Sequence, residues 1–187
     1  MIGNIDIFED FLSPEECDSI LNKCKEELTL SDATVYGHTS NTLPNKTTRK
    51  SSIGWISNLK FLNERLTNKL RETFNINGME VTGLGDFQFT KYKEGDYFDW
   101  HTDSTDTVYR DRFTSIVIQL NNEYVGGVLE IKNLKGELVP IENKIGTLYI
   151  FNSRLVHRVT PVETGVRYSL VNWISLVKTD SKKQNLI

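Results

Sequence analysis

The spacing of apolar residues changes near residue 77, from a helical period before it to short strand-like runs after it. A helix over 57–74 is predicted from apolar residues that recur every three or four positions. These residues are Leu59, Leu62, Leu66, Leu70 and Phe74. An earlier helix is predicted to begin at Ser13-Pro14, because serine caps a helix and proline suits its first position. The polar segment 31–53 predicts a long loop, of the kind that often forms a lid.

After residue 77, short apolar runs alternate with turn signals rich in Gly, Asn and Asp. The runs predict strands at 79–84, 86–93, 113–121, 128–132, 146–151, 156–160 and 166–177, with one more around His101. Helices followed by many short strands predict a mainly β fold with α: a double-stranded β-helix (jelly roll) with the helices against one sheet. We interpret 1–187 as a single domain, with helical support over 1–76 and a jelly-roll core over 77–178.

Three of the predicted strands carry polar side chains on one face, where a plain core strand would be apolar. The faces are Gln88, Thr90 and Tyr92; Ser115, Val117 and Gln119; and Arg167, Ser169, Val171 and Trp173. Successive side chains of a strand point to opposite faces, so each set shares one side of its strand. A barrel interior that holds a charged ligand needs such a face.

Composition excludes several classes of function. The 187 residues carry a net charge of −3 with scattered Lys and Arg, so the sequence predicts no nucleic-acid partner. It shows no signal peptide and no stretch of membrane-spanning length, which predicts a cytoplasmic protein without a membrane partner. Cys17 and Cys24 lie seven positions apart on the first helix, roughly 10 Å along its axis, and we interpret both as reduced.

The candidate metal ligands are two histidines and an aspartate. His101 and Asp103 stand two apart in a strand-like segment, so both would point to one face, and His157 lies in a second such segment. This set matches the two-histidine, one-carboxylate triad of non-haem Fe(II) oxygenases. Zn²⁺ also accepts these ligands; a hydrogen-bonded surface pair with a separate core histidine is the non-metal alternative. The remaining histidine, His38, is interpreted as an exposed loop residue.

Arg167 follows His157 by ten residues, past a predicted turn at 164–165 and on the next strand. A guanidinium inside an apolar barrel is costly unless it is paired, and its fork suits a carboxylate. We therefore predict that Arg167 binds a small dicarboxylate that also reaches the metal. An internal salt bridge is the alternative, although no Asp or Glu shares the inward faces of these strands.

Several segments resemble the Fe(II)/2-oxoglutarate-dependent dioxygenases of the prolyl 4-hydroxylase class. The segment 92–103 (Tyr-Lys-Glu-Gly-Asp-Tyr-Phe-Asp-Trp-His-Thr-Asp) resembles the signature of that class. Residues 126–131 resemble its Gly-Gly strand entry, and 146–157 followed by 167–173 resembles its closing segment. Residues 49–55 (Arg-Lys-Ser-Ser-Ile-Gly-Trp) resemble the Arg-x-Ser-Ser-Gly-x-Trp element of peptidyl prolyl 4-hydroxylases, with the glycine displaced by one position.

The resemblance implies a role for each part of the site. His101, Asp103 and His157 would hold Fe(II), and Arg167 would pair with the far carboxylate of 2-oxoglutarate. Tyr92 would hydrogen-bond this cosubstrate, and we include Gln119 as a further cosubstrate contact. Substrate residues would be Trp173, Arg49 and Phe98, the last standing where many prolyl 4-hydroxylases have tyrosine.

The implied reaction is O₂-dependent hydroxylation of a proline in a peptide or protein, with release of succinate and CO₂. Ascorbate dependence is an expectation from the family, and the segment 31–53 would close over an extended chain. The same chemistry on a free amino acid or other small molecule remains open. So does a barrel that binds a metal or ligand without turning it over.

Overall fold

The computed structural model describes residues 5–33, 48–74, 79–82, 84–106, 112–139 and 141–178. His38 and most of the predicted loop over 31–53 lie outside these ranges, so the lid remains a prediction. Within them the chain forms two helices, α1 (Pro14–Glu27) and α2 (Lys60–Phe74), and two β-sheets. Neither helix has the length and apolar character that crossing a bilayer requires.

Fourteen strands are present in the described residues. In chain order they are β1 (Ile5–Phe8), β2 (Ser31–Asp32), β3 (Arg49–Lys50), β4 (Ser52–Ile56), β5 (Met79–Thr82), β6 (Phe87–Lys93), β7 (Tyr97–His101), β8 (Thr114–Gln119), β9 (Tyr124–Gly126), β10 (Leu129–Lys132), β11 (Leu138–Val139), β12 (Leu148–Asn152), β13 (His157–Val159) and β14 (Val162–Lys178). The large sheet has the order β1-β12-β8-β14-β6-β4-β2, and β5 and β9 also pair with β14. The small sheet has the order β11-β10-β13-β7-β3.

Alternating side chains of the large sheet enter two different cores. On β8, Ile116 and Ile118 pack in the cluster shared with the helices, whereas Val117 packs in the cluster between the two sheets. The helices contribute apolar stripes to the first cluster, including Leu62 and Leu66 of α2, which are fully buried. The predicted fold, a mainly β jelly roll with helices against one sheet, is confirmed.

The structure differs most from the predicted elements at 164–165 and before residue 77. The chain does not turn at 164–165: β14 runs unbroken over Val162–Lys178, with a bulge where its pairing to β9 shifts between Val162 and Thr164. Gly165, just after this bulge, adopts φ +81°, and a Cβ there would lie 2.7 Å from a backbone oxygen, so glycine allows this close approach without ending the strand. Four strands also precede residue 77, so the segment 1–76 contributes to both sheets and is more than helical support.

The two cysteines of α1 are buried and are not joined in a disulfide. Burial raises the pKa of Cys17 to about 11 and that of Cys24 to about 12. Thiols with such pKa values hold few thiolates near neutral pH and react slowly. The prediction that both cysteines are reduced is confirmed.

A charged network ties the start of α1 to α2. The Glu16 backbone N–H donates to Ser13 Oγ at 3.2 Å, and the Ser13 N–H donates to the Glu16 carboxylate at 2.9 Å. Arg65 of α2 donates to both carboxylate oxygens at 2.7 and 2.8 Å and to the Phe11 carbonyl at 3.0 Å. The Arg65 bonds, followed by the bond from the Ser13 N–H, lower the pKa of Glu16 to about 2.

We expect Glu16→Gln to lower the free energy of unfolding by about 1 kcal/mol near pH 7, since solvent screens these half-exposed side chains. The pKa of Glu16 is lowered from 4.5 to about 2 on folding. Its contribution is therefore present above pH 4.5 and is lost as the pH falls towards 2. Denaturant unfolding at pH 7 and at about pH 3 should show a smaller difference at the lower pH. Glu26→Gln, on the same helix, is the control, and a difference independent of pH would contradict the assignment.

Candidate metal centre and its cavity

The three predicted metal ligands meet at the end of the small sheet. His101 ends β7 and is the register partner of His157 at the start of β13. The Nε2 atom of His101 lies 3.6 Å from Asp103 Oδ1, and that of His157 lies 3.5 Å from Asp103 Oδ2. The possible ligand atoms of the three residues all lie within 4.8 Å of one another.

Asp103 is not placed beside His101 by strand alternation, which the two-residue spacing had suggested. The strand ends at His101, and the backbone N–H of Asp103 donates to the Ser153 carbonyl at 2.8 Å. Ser115 Oγ donates to Asp103 Oδ2 at 2.6 Å and lies 2.9 Å from Ser153 Oγ. The carboxylate is therefore held by a bend and by two serines, and not by strand alternation.

Hydrogen bonds determine which ring nitrogen of each histidine faces the centre. Nδ1 of His101 lies 2.8 Å from the Asp99 carbonyl oxygen, and Nδ1 of His157 lies 2.9 Å from that of Leu155. A carbonyl oxygen only accepts, so each Nδ1 carries a proton and donates it. The lone pair of each Nε2 then points towards Asp103, as in histidines that bind metals.

Burial and mutual charge shift the pKa of all three groups. Burial lowers the pKa of His101, and the neighbouring His157 lowers it further. Burial opposes ionisation of Asp103, but His157 and His101 outweigh it and hold the pKa of Asp103 well below its ordinary value. Burial likewise opposes the charge on His157, whose pKa is nevertheless raised by Asp103. An ionised, buried carboxylate between two imidazoles is a donor set suited to a divalent cation.

A cavity of about 340 Å³ opens beside the triad. Its wall includes the polar faces predicted for β6 and β14, with Gln88, Thr90 and Tyr92 from the first strand and Arg167 and Ser169 from the second. The apolar residues that alternate with them pack towards the helices. The alternation in the sequence therefore identified the two strand faces that line the cavity.

Arg167 is 1% exposed and carries its charge into this cavity. One terminal nitrogen donates to Ser169 Oγ at 3.1 Å, whereas the buried Nε has no hydrogen-bond partner. Among the described residues, no carboxylate lies within ion-pair distance of Arg167, so the internal salt bridge is absent there. The buried hydroxyl of Tyr124 also lacks a partner; burial raises the pKa of this tyrosine, and Arg167 opposes the shift.

Gly127 makes room for this arginine. It adopts φ +56°, and a Cβ there would lie 2.9 Å from Val162, 3.2 Å from Arg167 Cδ and 3.2 Å from the Tyr124 ring. Real Cβ atoms rarely meet contacts this close, and a positive φ disfavours a side chain in any case. A glycine just before β10 therefore allows the Arg167 side chain and the Tyr124 ring to pack beside each other.

Residues 87–175 match the family model described as the 2OG-Fe(II) oxygenase superfamily. This range contains all three candidate ligands and Arg167. Over this range, which is just under half of its length, the chain is similar to the 2OG-Fe(II) oxygenase superfamily.

Curated relatives and solved structures agree with this match. A PKHD-type hydroxylase of Shewanella oneidensis is 30% identical over 105 residues, which cover 53% of this chain and 46% of that protein. One of Pseudomonas putida is 32% identical over 101 residues, covering 49% and 44%. The chain thus spans about half the length of the curated relatives it matches.

Two solved structures show that the fold is prolyl hydroxylase-like. A Pseudomonas putida prolyl-4-hydroxylase has a TM-score of 0.71 at 23% identity, covering 92% of each chain. A prolyl hydroxylase from Trichoplax adhaerens, in complex with a hypoxia inducible factor oxygen degradation domain peptide fragment, has a TM-score of 0.74 at 21% identity. It covers 91% of this chain and 83% of that chain.

The match to the superfamily implies Fe(II), 2-oxoglutarate and O₂, and two observations fit these groups. Two neutral imidazole nitrogens and a carboxylate are the donor set that non-haem Fe(II) takes. The guanidinium of Arg167, whose Nε is unsatisfied and which has no carboxylate partner among the described residues, is a buried donor that a carboxylate would satisfy.

The other predicted site residues divide into two groups. Those that line the cavity are Tyr92, Arg49, Phe98 and Trp173. Gln119, predicted as a cosubstrate contact, does not line it. Its side-chain amide donates to the backbone carbonyls of Asn121 at 2.8 Å and Tyr168 at 3.3 Å, and these bonds hold it at the end of β8.

Sequence reasoning missed two residues of the site. Ser115 was placed on a polar strand face, but its bond to Asp103 joins positions that are 12 residues apart and depends on the packing of two sheets. Tyr124 had no signal beyond its position just before the Gly126-Gly127 pair. The Ser115 hydroxyl donates to Asp103, and the Tyr124 hydroxyl is free to donate. Each lies close to a residue that had been predicted.

Proposed function

We propose that this chain is an Fe(II)- and 2-oxoglutarate-dependent dioxygenase that hydroxylates proline in a peptide or protein. The observation that carries the proposal is one cavity that holds both the His101–Asp103–His157 cluster and a buried, unpaired Arg167. When bound, Fe(II) activates O₂ so that one oxygen atom enters a substrate C–H bond and the other enters succinate, with release of CO₂ from 2-oxoglutarate.

The residues of the chain would bind and orient the reacting groups. His101, Asp103 and His157 would hold the iron, with the proton of each histidine kept on Nδ1 by a backbone carbonyl. Arg167 would bind the carboxylate of 2-oxoglutarate that is remote from the metal. Tyr92, whose ring centroid lies 5.5 Å from the Arg167 guanidinium carbon, would hydrogen-bond the same cosubstrate.

Aromatic side chains support a proline substrate. Trp173 lines the cavity, and its ring lies 6.3 Å from that of Trp55, which is 50% exposed at the cavity wall. Phe98 lines the same cavity beside His101. Flat apolar rings suit the apolar face of a pyrrolidine. The Trichoplax adhaerens neighbour, solved with a peptide fragment, further supports a peptide as the substrate.

The test is mass spectrometry of proline-containing peptides incubated with the protein, Fe(II), 2-oxoglutarate and air. We expect a gain of one oxygen at proline, absent when 2-oxoglutarate is omitted or when proline is replaced by alanine. Parallel assays with and without ascorbate test the proposed ascorbate dependence. Conversion of 2-oxoglutarate without any oxygen gained by the peptides would reject proline but keep the reaction. A cytoplasmic setting is part of the proposal, and the two unpaired buried cysteines favour it.

A free amino acid is the second candidate substrate. The volume of about 340 Å³ lies at the lower end of ligand pockets, so that 2-oxoglutarate and one residue would fill much of it. Competition separates the two substrates, because a long proline-rich peptide would not inhibit turnover of a small molecule that enters alone.

A further inference from the structure

Arg49 is a buried cation whose contacts within the described part of the chain are all with neutral groups. It is 9% exposed, and its Nε donates to Ser51 Oγ at 2.8 Å while Nη2 donates to Gln88 Oε1 at 3.2 Å. Nη1 donates no hydrogen bond to any described residue, and no described carboxylate lies within ion-pair distance of this guanidinium. Burying a positive charge costs free energy unless an anion accompanies it. An anion that bound beside Arg49 would therefore be stabilised.

Phe98 holds this cation close to the candidate metal centre. The guanidinium carbon of Arg49 lies 4.5 Å from the Phe98 ring centroid, a cation–π contact. The same ring stacks on the His101 imidazole, with centroids 3.4 Å apart and planes 13° apart. Arg49 therefore lies beside the metal ligands, on the wall of the same cavity, without belonging to them.

The charges of the proposed ligands leave Arg49 unbalanced. Among the described residues that line the cavity, Asp103 is the sole carboxylate, and it faces the two histidines. The charges of Fe(II), Asp103, Arg167 and the two carboxylates of 2-oxoglutarate cancel. The positive charge of Arg49 remains, and Arg112, whose guanidinium carbon lies 3.9 Å from the Trp173 ring centroid, adds a second positive charge to the wall of the same cavity. The cavity therefore favours the binding of a further anion over a neutral group. Neither the metal nor the cosubstrate supplies this anion.

We infer that Arg49 binds a carboxylate of the substrate, so that the substrate class is anionic next to the carbon that is hydroxylated. This inference rests on the proposed function and adds the charge of its substrate. The carboxylate belongs either to an acidic residue beside the target proline of a peptide or to the α-carboxylate of a free amino acid. A guanidinium binds it through charge-assisted hydrogen bonds. Gln88 keeps the site open, because an acid at position 88 would neutralise Arg49 internally.

The test compares binding of two matched pairs of probes to the Fe(II)- and 2-oxoglutarate-loaded protein without O₂. One pair is an eight-residue peptide with a central proline flanked by Glu or by Gln. The other pair is L-proline and L-prolinamide. We expect titration calorimetry to show at least about tenfold tighter binding of the acidic member of one pair. A preference in the peptide pair identifies a peptide carboxylate, and a preference in the other pair identifies the free amino acid.

Three variants connect that preference to Arg49. Arg49→Met keeps the apolar stem and removes the charge, and Gln88→Glu supplies an internal counter-ion where the 3.2 Å bond now lies. Both are expected to bring the ratio of affinities to about one. Gln88→Met removes the same bond without adding charge and should retain the preference. Denaturant unfolding of each variant shows that the fold is intact.

Equal affinities within both pairs, or no binding of any of the four probes, would overturn the inference. A preference that survives Arg49→Met would also overturn it, because the anion would then bind elsewhere. Failure of the proposed function has a different signature, namely no conversion of 2-oxoglutarate with Fe(II) in air. The binding comparison is made without O₂ and does not depend on that conversion.

Discussion

Asp103→Asn lowers the affinity of the chain for Fe(II) by an expected factor on the order of 100 or more. The variant keeps the size of the side chain but removes the one negative charge among the three ligands. In the wild type that charge is buried, and the pKa of Asp103 is held well below its ordinary value by His157 and His101 after the opposing effect of burial. An amide oxygen in the same place attracts a divalent cation far less.

Anaerobic titration calorimetry with Fe(II) measures this loss directly. Asp99→Asn is the matched control, because Asp99 is exposed and only its backbone carbonyl contacts His101. Ser115→Ala tests the support of the carboxylate, since it removes the 2.6 Å hydrogen bond to Oδ2 but keeps the charge; we expect a loss of roughly tenfold. If Asp103→Asn bound iron as tightly as the wild type, the metal centre would have to lie elsewhere.

Arg167→Met is expected to weaken binding of 2-oxoglutarate by about 2–4 kcal/mol, or roughly 30- to 1000-fold. The loss is large because the ligand carboxylate would be left in a buried site without its cation. In the absence of cosubstrate the same change should leave the free energy of unfolding unchanged or raise it. The wild-type guanidinium is 1% exposed and has no counter-ion among the described residues, so removing its charge removes a desolvation penalty.

The two measurements together distinguish a ligand site from an internal salt bridge. Calorimetry with 2-oxoglutarate gives the affinity, and denaturant unfolding of the ligand-free protein gives the stability. Arg158→Met is the control, because Arg158 has a protein partner in Glu130 at 2.6 Å and does not line the cavity. A variant of Arg167 that lost stability yet kept its affinity for 2-oxoglutarate would show that this arginine is structural.

Local patterns in the sequence were sufficient for much of the fold. The cap at Ser13 and the proline at Pro14 mark the start of α1 because capping depends only on residues within one turn. Alternation on β6 and β14 identified the faces that enter the cavity because side chains of a strand alternate whatever the strand pairs with. The turn prediction at 164–165 was wrong because a glycine with positive φ can also stand inside a strand, here just after a bulge.

Residue type and spacing by themselves determined the chemistry of the centre: His101, Asp103, His157 and Arg167 were all predicted, since few residues bind metals or carboxylates. Only the tertiary structure decided how these groups are held and which others join them. Asp103 is oriented by Ser115 and Ser153, and Gln119 turns to backbone carbonyls and away from the cavity. Arg49 donates to Gln88, a neutral neighbour 39 positions away. Contacts between residues that are distant in sequence form only when the sheets pack, so a local sequence pattern does not predict them.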